Sequence, residues 1–589
     1  MKILEIAEKD PAGWRKTTLQ ERHKIMYEAA NRLGEMRGDL IGCMCAVTGK
    51  TVVEGDVEVS EGIDYARFYT TSMKQFAELP DVDIAPKGTI LVISPWNFPC
   101  AIPIGGIVAG LAGGNTVILK PATVAAPVAW LFAKAFWDAG VPKEALTVVI
   151  TDREALKVLT TAPAVKHIIL TGGTDTAQNI ARSNPATPLS AETGGKNAII
   201  LTASGDRDHA IMNIVASAFG NAGQKCSACS LLLVERSVYE DKNFQDKLKD
   251  AATSMKVGSV WNPGNVVGPM ITNKNDKLLK ALELEKGESW LVPPRFLDKH
   301  KYVLAPTVKW GVRPGNYSFR TELFGPMLSV VCIENLQQGI DLVNSLEYGL
   351  TSGLQSLDEG EQKLWKDSIM AGNLYINRGI TGAIVNRQPF GGMKLSAFGG
   401  GVKAGGPNYC ACFVNIADKP GSTTDYTQSY VKAYEQEFAH ARDVNNLYGE
   451  QNAFRYLPLK NMVLRLFPGD NNEDAKMIAL AARICHTPLS ISFEPGDDRT
   501  AALASLGCPL KEEALAGFLK SMKNYERIRT CGADIPMEMY EEAARIDKYI
   551  ATAKPVKDGR VELIHYIKEQ SISFEYHRYG SILEVPPVE

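Results

Sequence analysis

Apolar residues recur along the first third of the chain with two different periods, which predict alternating helices and strands. From Leu19 to Leu33 they fall at helical spacing with charged residues between them, and Val53 to Phe76 repeats that spacing. Short continuous apolar runs, which are typical of buried strands, then occupy residues 88–94, 115–119, 146–150 and 166–170. Helical segments lie between and after these runs, at residues 102–113, 125–139, 153–160 and 175–182. This alternation predicts a doubly wound parallel sheet.

A second region of alternating elements runs from residue 196 to residue 375. It contains predicted helices at residues 207–222 and 241–256 and predicted strands at residues 231–235 and 328–333. After a glycine-dense stretch at residues 391–406, the chain becomes more polar and predicts a smaller α/β unit. Its elements are a charged helix, a strand, a helix and a strand, at residues 425–446, 462–467, 472–485 and 489–493. Residues 571–579 alternate like an edge strand.

The composition is that of an ordinary globular protein with several domains. The 589 residues are 45% hydrophobic and 22% charged, and the formal net charge is −3. This near-neutral balance gives no argument for nucleic acid or for a basic membrane-binding surface. The 11 cysteines, without a secretory signal, predict free thiols and a cytoplasmic protein. No cysteine spacing fits a zinc site, so no metal is expected.

One uncharged stretch, Ala101 to Leu119, has about the length of a membrane span. It contains several glycines together with Asn115, and Pro103 stands near its start. These residues favour a buried helix followed by a strand over a transmembrane helix. We therefore expect no transmembrane segment.

Two residues in the middle of the chain are candidates for nucleophilic chemistry. Cys226 stands among small residues in the sequence Gly223-Gln-Lys-Cys226-Ser227, which would let a substrate approach closely. A thiolate attacks carbonyl carbon readily, but it needs a lowered pKa or a nearby base. Glu192 lies 34 residues earlier, beside Gly194-Gly195, and burial would raise its pKa towards that of a general base near neutral pH.

Polar residues also follow the predicted strands of the first sheet. Asn97 comes after a strand, where its side-chain amide could donate to a developing oxyanion. Lys120 ends the next strand and is well placed for a nucleotide ribose or phosphate. Thr171-Gly-Gly-Thr174 closes a strand and opens a helix, as at many pyrophosphate sites. The usual Gly-x-Gly-x-x-Gly fingerprint is absent.

Taken in order, these motifs resemble the aldehyde dehydrogenase superfamily, over roughly residues 14–415. The motifs are Pro95-Trp-Asn-Phe-Pro99, Lys120-Pro121, Thr171-Gly-Gly-Thr174, Glu192-Thr-Gly-Gly195, Gly223-Gln-Lys-Cys226 and Glu322-Leu-Phe-Gly-Pro326. The resemblance implies an α/β fold with a Rossmann-like NAD-binding domain and an α/β catalytic domain. To this the chain adds an extra C-terminal α/β region and an oligomerisation strand.

The resemblance also implies a role for each matching residue. Cys226 would be the nucleophile and Glu192 the base that activates water. The Asn97 side chain and the Cys226 backbone N–H would form the oxyanion hole. Lys120 would hold the adenosine ribose and Glu322 the nicotinamide ribose. The implied contacts of the NAD cofactor are Ile93, Ser94, Pro95, Trp96, Lys120, Gly172, Gly173, Thr174, Glu322 and Phe324.

Further motifs are similar to those of the glutamate semialdehyde (pyrroline-5-carboxylate) dehydrogenases. They are Gly223–Ser230, Asn377–Val385, Gln388–Gly392 and Lys403–Tyr409. The resemblance implies that the Ser227 hydroxyl and the N–H groups of Gly382 and Ala383 grip the α-carboxylate of the substrate. Small side chains at these two positions expose the backbone, as a carboxylate nest requires. Phe98 and Phe390 would enclose the aliphatic middle of the substrate.

The implied activity is NAD-dependent oxidation of L-glutamate 5-semialdehyde to L-glutamate through a Cys226 thiohemiacetal, the second step of proline catabolism. The preference for NAD over NADP stays open, because Thr123 carries no negative charge that would repel a 2′-phosphate. Two alternatives remain. One is oxidation of another semialdehyde, such as succinic semialdehyde. The other is a non-catalytic scaffold, which would have no physical need for all of these polar residues.

The division expected from these features has five segments. They are an NAD-binding domain at residues 1–193, a catalytic domain at 194–375, a substrate-anchor and closing segment at 376–418, an extra α/β domain at 419–560 and an oligomerisation flap at 561–589.

The late start of the chain and its final segment resemble the C-terminal half of bifunctional proline utilisation A proteins. This suggests a separate proline dehydrogenase partner, or a homo-oligomer formed through residues 571–579. We see no flavin-binding barrel and expect no proline oxidation. The oligomeric state, the role of residues 419–560 and the completeness of the chain stay open.

Overall fold

The doubly wound sheet predicted for the first part of the chain is a six-stranded sheet in the computed structural model, which describes residues 2–497, 499–532 and 534–582. In spatial order its strands are Ala397–Phe398, Leu189–Glu192, Val165–Thr171, Thr89–Ser94, Thr116–Pro121 and Leu146–Val148. Only the first of these, contributed by the segment after the catalytic region, is antiparallel to its neighbour.

Alternate residues of the central strand face two separate cores. Ile90 and Val92 pack on one side of the sheet, and Leu91 and Ile93 on the other, because successive side chains of a strand point to opposite faces. The helices on the first side are Leu19–Glu35, Arg37–Thr48, Val52–Ala77, Ala101–Ala112 and Ala126–Asp138. Those on the second side are Lys2–Lys9, Arg153–Thr160 and Thr174–Ser183. Burial on both faces explains the continuous apolar runs of the sequence.

The uncharged stretch at residues 101–119 is the buried helix Ala101–Ala112 followed by the first residues of strand Thr116–Pro121. Its glycines let the helix lie close to the sheet. A Cβ added to Gly110 would meet Val117 at 2.8 Å, and one added to Gly106 would meet Val92 at 2.9 Å. Within the described parts of the chain, no helix is long and apolar enough to cross a membrane.

A nine-stranded sheet forms the second unit. In spatial order its strands are Glu450–Pro458, Ile567–Glu575, Asn373–Ile376, Thr351–Gln355, Asn197–Leu201, Cys229–Glu235, Met327–Ile333, Thr307–Trp310 and Ser289–Val292. The strands at its two edges are antiparallel and the rest are parallel. One face is covered by helices Arg207–Phe219, Arg236–Tyr239, Lys242–Ser254 and Asp276–Ala281. The other is covered by Tyr317–Arg320, Leu336–Asn344 and Glu359–Ser368.

A third, fully parallel sheet has five strands and lies towards the end of the chain. In spatial order they are Leu510–Glu512, Leu489–Phe493, Met462–Arg465, Arg527–Arg529 and Ile550–Ala551. Helices Tyr426–Ala433, Asn472–Ile484 and Thr500–Ala504 pack into its first core, and Leu515–Ser521 and Met537–Arg545 into its second. Helix Gly559–Glu562 then leads towards the C-terminal strand.

Short elements complete the described chain. Its 3₁₀-helices are Trp14–Lys16, Thr123–Ala125, Gly220–Gly223, Tyr409–Phe413, Met522–Asn524 and Leu563–Tyr566. Its two-stranded pairs are Val82–Pro86 with Val414–Asp418, Tyr348–Gly349 with Met393–Lys394, and His577–Arg578 with Ser581–Ile582.

The C-terminal part of the chain differs most from the sequence expectation. The predicted helix at residues 425–446 is Tyr426–Ala433 with a π-helical turn, Tyr434–Phe438, and residues 439–446 are not helical. Strand Glu450–Pro458 was not predicted, because its partner, Ile567–Glu575, lies more than a hundred positions further along the chain.

The edge strand expected at residues 571–579 begins earlier and ends at Glu575. It pairs in parallel with Asn373–Ile376 on one side and antiparallel with Glu450–Pro458 on the other. Both of its edges are therefore occupied within its own chain. The strand therefore has no free edge on which a second chain could dock in the expected way.

A buried ion pair ties the third unit to the C-terminal strand. Arg529 and Glu562 are both fully buried, and Arg529 Nη2 donates to Glu562 Oε1 at 3.1 Å. The same carboxylate accepts from the Tyr566 hydroxyl at 2.6 Å and from the Val556 N–H at 3.0 Å. Such a pair is costly to break, because removing one partner leaves an uncompensated buried charge.

We therefore expect Glu562→Ala to lower the free energy of unfolding by about 3–5 kcal/mol. Denaturant unfolding followed by fluorescence measures the change. Glu538→Ala, in the exposed first turn of helix Met537–Arg545, is the matched control and should change the free energy by less than about 0.5 kcal/mol. Equal losses in the two variants would contradict the importance of the buried pair.

Candidate active site

The polar residues of the first sheet gather where its strand order reverses. From strand Thr89–Ser94 the chain moves outward to one side, through Thr116–Pro121, and later returns to the other side at Val165–Thr171. Ligands of doubly wound sheets bind in the crevice at the carboxyl ends of such neighbouring strands. Ile93 to Trp96 and the turn at residues 171–174 lie at this crevice.

The donors and acceptors at the crevice fit the chemistry of a dinucleotide. Gly173 caps helix Thr174–Ser183, whose first backbone N–H groups have no partner within the helix and suit a pyrophosphate. Lys120 ends strand Thr116–Pro121 and can donate to a ribose hydroxyl. The Ser94 hydroxyl is buried and has no hydrogen-bond partner among the described residues. Among those residues there is no cluster of His, Cys, Asp and Glu suited to a metal ion.

Glu322 is held against the connection between the first two sheets. Its Oε1 accepts a hydrogen bond from Gly195 N–H at 2.8 Å. A Cβ at Gly194 would overlap the Glu322 carboxylate, so a side chain there would displace this carboxylate. Burial raises the pKa of Glu322, against the Gly195 hydrogen bond and two lysines, Lys277 and Lys196. A carboxylate here can accept from the hydroxyls of a ribose.

Phe324, two residues after Glu322, packs against an aromatic ring of the first sheet. The Trp96 and Phe324 rings meet edge to face with their centroids 5.8 Å apart. Phe324 has a φ of 51°, an unusual backbone conformation for a bulky residue. The pair connects the strand end at Trp96 with the segment that carries Glu322.

Cys226 stands on a tight loop that joins helix Arg207–Phe219 to strand Cys229–Glu235. The loop turns through left-handed backbone at Asn221, Ala222 and Gly223, with φ values of 52°, 53° and 67°. A Cβ at Gly223 would meet the Gly325 carbonyl at 2.2 Å, so this glycine is required by close approach. Asn197 Nδ2 donates to the Cys226 carbonyl at 2.7 Å and fixes the loop to the neighbouring strand.

The Cys226 thiol is protonated at rest. Burial and the nearby carboxylates Glu322 and Glu192 together raise its pKa to about 12, against hydrogen bonds from the backbone. A thiol in this environment is only partly exposed. The nucleophile therefore depends on a nearby proton acceptor, or on a bound group that offsets the negative charges around it.

Glu192 is the last residue of strand Leu189–Glu192 and faces the same cavity as Cys226. Its Oε2 accepts from Gly392 N–H at 3.0 Å. Burial raises its pKa to about 8, against the opposing effects of the Lys403 charge and of the Gly392 hydrogen bond. This value suits a group that takes a proton from water near neutral pH.

Asn97 is buried, and its side chain reaches the loop that precedes Cys226. The Asn97 Nδ2 atom donates to the Gln224 carbonyl at 3.1 Å. This contact uses one of its two N–H bonds, so the other stays available to an oxyanion formed beside Cys226.

A cavity of about 110 Å³ brings most of the predicted catalytic and substrate residues together. Its lining includes Cys226, Glu192, Ser227, Gly382, Ala383, Phe98 and Phe390. Asn97 and the predicted cofactor contacts are not part of this lining. Most of them lie at the carboxyl ends of the strands of the first sheet, whereas Glu322 and Phe324 come from the segment before strand Met327–Ile333 of the second sheet. The cavity is therefore where an aldehyde carbon, an anchored carboxylate and a base could meet.

The loop that contains Gly382 is held from outside the cavity. Gly382 has a φ of 112°, and a Cβ on it would meet no atom within 4 Å, so its backbone lies open. Its carbonyl accepts from the Tyr375 hydroxyl at 3.1 Å. Arg378 and Arg387, at the two ends of the loop, both pair with Glu450, at 2.9 Å and 3.1 Å. The loop is thus fixed by strand Glu450–Pro458.

Sequence reasoning missed several residues of this cavity. Glu61, Tyr65 and Tyr69 line it from helix Val52–Ala77. Burial raises the pKa of Glu61 to about 8, helped by the Glu58 charge and opposed by Lys50 and by the Tyr65 hydroxyl. The available signal was their spacing of four residues, which places a carboxylate in line with two tyrosines on one helix face.

Known proteins give an independent comparison. The sequence model described as "Aldehyde dehydrogenase family" matches residues 1–418. A 1-pyrroline-5-carboxylate dehydrogenase of Geobacillus sp. (strain WCH70) is 33% identical over 429 residues, which are 69% of this chain and 82% of that protein.

Solved structures are also similar. Proline utilization A (PutA) from Corynebacterium freiburgense aligns with a TM-score of 0.86 and 36% identity over 98% of this chain. The chain spans 60% of the length of that protein. A 1-pyrroline-5-carboxylate dehydrogenase from Thermus with bound NAD aligns with a TM-score of 0.66 and 32% identity, over 70% of this chain and 84% of that one.

The electrostatics of Cys226 can be tested by alkylation. Above the Glu192 pKa of about 8, Glu192→Gln removes a negative charge that raises the pKa of Cys226. We expect iodoacetamide to label Cys226 faster in this variant than in the wild type. Below that pKa Glu192 is protonated, and the two rates should agree. Mass spectrometry of the Cys226 peptide measures both.

Cys43 is the internal reference for this experiment. Its pKa is raised by burial alone, so its labelling rate should be the same in both proteins. Slower labelling of Cys226 in the variant above the Glu192 pKa would contradict the expectation. It would mean that Glu192 accepts the thiol proton more than it opposes the thiolate.

Proposed function

Because the chain belongs to the aldehyde dehydrogenase family, we propose that it oxidises L-glutamate 5-semialdehyde to L-glutamate with NAD. This reaction is the second step of proline catabolism. The observation that carries the proposal is the single cavity lined by Cys226, Glu192, Ser227 and the open backbone at Gly382 and Ala383. It offers a nucleophile, a base and a carboxylate anchor within one small space. The similar 1-pyrroline-5-carboxylate dehydrogenases support the choice of substrate.

The first step joins the substrate to the enzyme. The Cys226 thiol releases its proton to solvent water, and its sulfur bonds to the aldehyde carbon to form a thiohemiacetal. The carbonyl oxygen becomes an oxyanion. Asn97 Nδ2 and the Cys226 backbone N–H donate to it, and such donors contribute roughly 3–4 kcal/mol to transition-state stabilisation. The anchor residues hold the carboxylate so that the aldehyde carbon reaches the sulfur.

NAD, when bound, would supply the acceptor for a hydride, and loss of that hydride from the thiohemiacetal carbon turns the thiohemiacetal into a thioester on Cys226. Lys120 and Glu322 would hold its two riboses, and the N–H groups at residues 172–174 its pyrophosphate. The Ser94 hydroxyl, which lacks a partner, would face the same crevice. Because no residue that we identify excludes a 2′-phosphate, NAD is proposed mainly from the Thermus relative whose structure contains it.

The second step releases the product. Glu192 takes a proton from a water molecule, and the resulting hydroxide attacks the thioester carbon. The carbon–sulfur bond then breaks, the Cys226 thiolate leaves and glutamate is formed. The raised pKa of Glu192, about 8, keeps it ready to hold that proton near neutral pH.

Glu61 would favour a substrate that carries an amino group. It is a carboxylate on the cavity wall, and its pKa of about 8 falls when a cation approaches. The α-carboxylate of the substrate, held by Ser227 and the Gly382–Ala383 backbone, carries an ammonium group on the adjacent carbon. We assign Glu61 as the partner of that ammonium group.

The proposal also covers the partners, the cellular location and the domain division of the chain. The likeness to PutA supports a proline dehydrogenase as the source of the semialdehyde. Assembly with that partner, or into a homo-oligomer, remains part of the proposal. So does a cytoplasmic location, which suits eleven free cysteines. We also propose the functional division into segments 1–193, 194–375, 376–418, 419–560 and 561–589.

The activity itself is tested by NADH formation at varied concentrations of three aldehydes. We expect the highest kcat/KM with glutamate 5-semialdehyde, a lower value with succinic semialdehyde and the lowest with propanal. Cys226→Ala should abolish all three, because it removes the sulfur that forms the thiohemiacetal. Equal kcat/KM values for the three aldehydes would contradict the carboxylate anchor, and unchanged rates in the variant would contradict the mechanism.

Glu61→Gln tests recognition of the amino group. A hydrogen bond between charged groups contributes about 1.5–3 kcal/mol, so we expect kcat/KM for glutamate 5-semialdehyde to fall roughly tenfold to a hundredfold. Glutarate semialdehyde has the same chain without the amino group and is the matched control. Its kcat/KM should change little. An equal loss with both aldehydes would show that Glu61 acts on the structure of the cavity instead.

A further inference from the structure

A single peptide group links the proposed base to a buried lysine. The N–H of Gly392 donates to Glu192 Oε2 at 3.0 Å. The carbonyl of the same peptide bond belongs to Gly391, and it accepts a hydrogen bond from Lys403 Nζ. A cation on the carbonyl side polarises the peptide and strengthens its N–H as a donor. The position and charge of Glu192 therefore depend on Lys403.

Packing leaves this peptide no freedom to move. A Cβ added to Gly391 would lie 3.0 Å from Glu192 Oε1 and 3.2 Å from Lys403 Cγ. The glycine is thus enclosed between the base and the stem of the lysine. Asn373 Oδ1 accepts both from Lys403 Nζ at 3.0 Å and from Gly391 N–H at 3.2 Å, which closes the network.

Lys403 is in turn held by a carboxylate from the C-terminal strand. Glu569, on strand Ile567–Glu575, is 4% exposed, and its Oε2 accepts from Lys403 N–H at 2.6 Å. Its Oε1 accepts from Asn408 Nδ2 at 2.7 Å. This residue lies outside residues 1–418, the part matched by the family. The base is therefore supported by a segment beyond the family match.

The two carboxylates face different cavities, with the lysine between them. Glu192 lines the small cavity with Cys226, whereas Glu569 lines a larger cavity of about 1140 Å³. Lys403 is 1% exposed and lines neither. Burial raises the pKa of Glu569 to about 7 and lowers that of Lys403 to about 8, so the charges of all three groups depend on one another.

We propose that Glu569 is a positioning residue for deacylation, which holds Lys403 and, through the Gly391–Gly392 peptide, keeps Glu192 aimed at the thioester. This inference rests on the proposed function, in which Glu192 activates the hydrolytic water. Glu569 does not touch the substrate. Its effect should appear in the step that needs the base and not in the formation of NADH, which precedes it.

The test compares the first turnover with later turnovers in Glu569→Gln. Stopped-flow absorbance should show a burst of NADH at the wild-type rate, followed by a slower steady phase. We expect the ratio of the steady rate to the burst amplitude to fall roughly tenfold or more, because a small displacement of a base slows the reaction strongly. kcat/KM for the aldehyde should stay within about twofold, since the steps up to formation of the thioester are untouched, and KM should fall together with kcat.

The pH dependence gives a second readout. Loss of the Glu569 charge makes Lys403 easier to deprotonate, and loss of the Lys403 charge raises the pKa of Glu192. The acidic limb of kcat should therefore move to higher pH in the variant. The other charged or titratable groups that face this network are Arg560, Tyr456 and Cys412 near Glu569, and Tyr65, Tyr409 and Cys226 near Glu192. All of them are retained.

Controls separate this inference from a loss of folding or of function. Only folded enzyme gives a burst, so the ratio of steady rate to burst is independent of the folded fraction. Lys403→Gln, measured in the same way, should show the same defect. It is the second variant, in case Glu569→Gln folds poorly. Glu575→Gln, on the same strand but away from the base, should behave as wild type.

The outcomes are distinguishable. A wild-type ratio in both Glu569→Gln and Lys403→Gln would overturn the inference while leaving the proposed function intact. A burst that slows in parallel with the steady phase would also overturn it, because a general structural effect would then explain the loss. Absence of NADH formation in the wild type would instead reject the proposed function itself.

Discussion

The connection at residues 193–196 is the constraint on which the site depends. It passes directly from strand Leu189–Glu192 of the first sheet to Asn197–Leu201, the central strand of the second. Glu192 precedes it, Glu322 lies against Gly194 and Gly195, and Asn197 Nδ2 holds the Cys226 carbonyl at 2.7 Å. Four residues are too few to absorb movement between the sheets. Glu192, Cys226 and Glu322, the proposed base, nucleophile and ribose acceptor, are therefore fixed relative to one another by the fold.

Burial of ionisable groups in this junction sets the chemistry. The carboxylates Glu192, Glu322 and Glu61 surround a thiol whose pKa is raised to about 12. Their partners are backbone N–H groups and buried lysines, which reduce the cost of desolvation without removing it. The site at rest is thus poised with a protonated thiol and a base of pKa about 8. A bound dinucleotide and a substrate that carries an ammonium group would both shift the protonation of the thiol and the carboxyl groups towards their charged forms.

The sequence predicted the first sheet well, because strands buried on both faces leave continuous apolar runs such as residues 88–94. The family and the fold are confirmed by the comparisons. The roles of individual residues remain predictions, although the structure brings most of them to one cavity. Strand Glu450–Pro458, Glu61 and Glu569 were missed. The strand and Glu569 act through contacts distant in the chain, namely the pairing of Glu450 with Arg378 and of Glu569 with Lys403, and no local pattern carries that information.

The central claim is that a thioester forms on Cys226 and that Glu192 is needed to hydrolyse it. The most direct measurement is mass spectrometry of Glu192→Gln after brief incubation with NAD and glutamate 5-semialdehyde. We expect a glutamyl group on the peptide that contains Cys226, together with about one NADH released for each active site. An unmodified Cys226 despite NADH release, or a glutamyl group on any other residue, would contradict it.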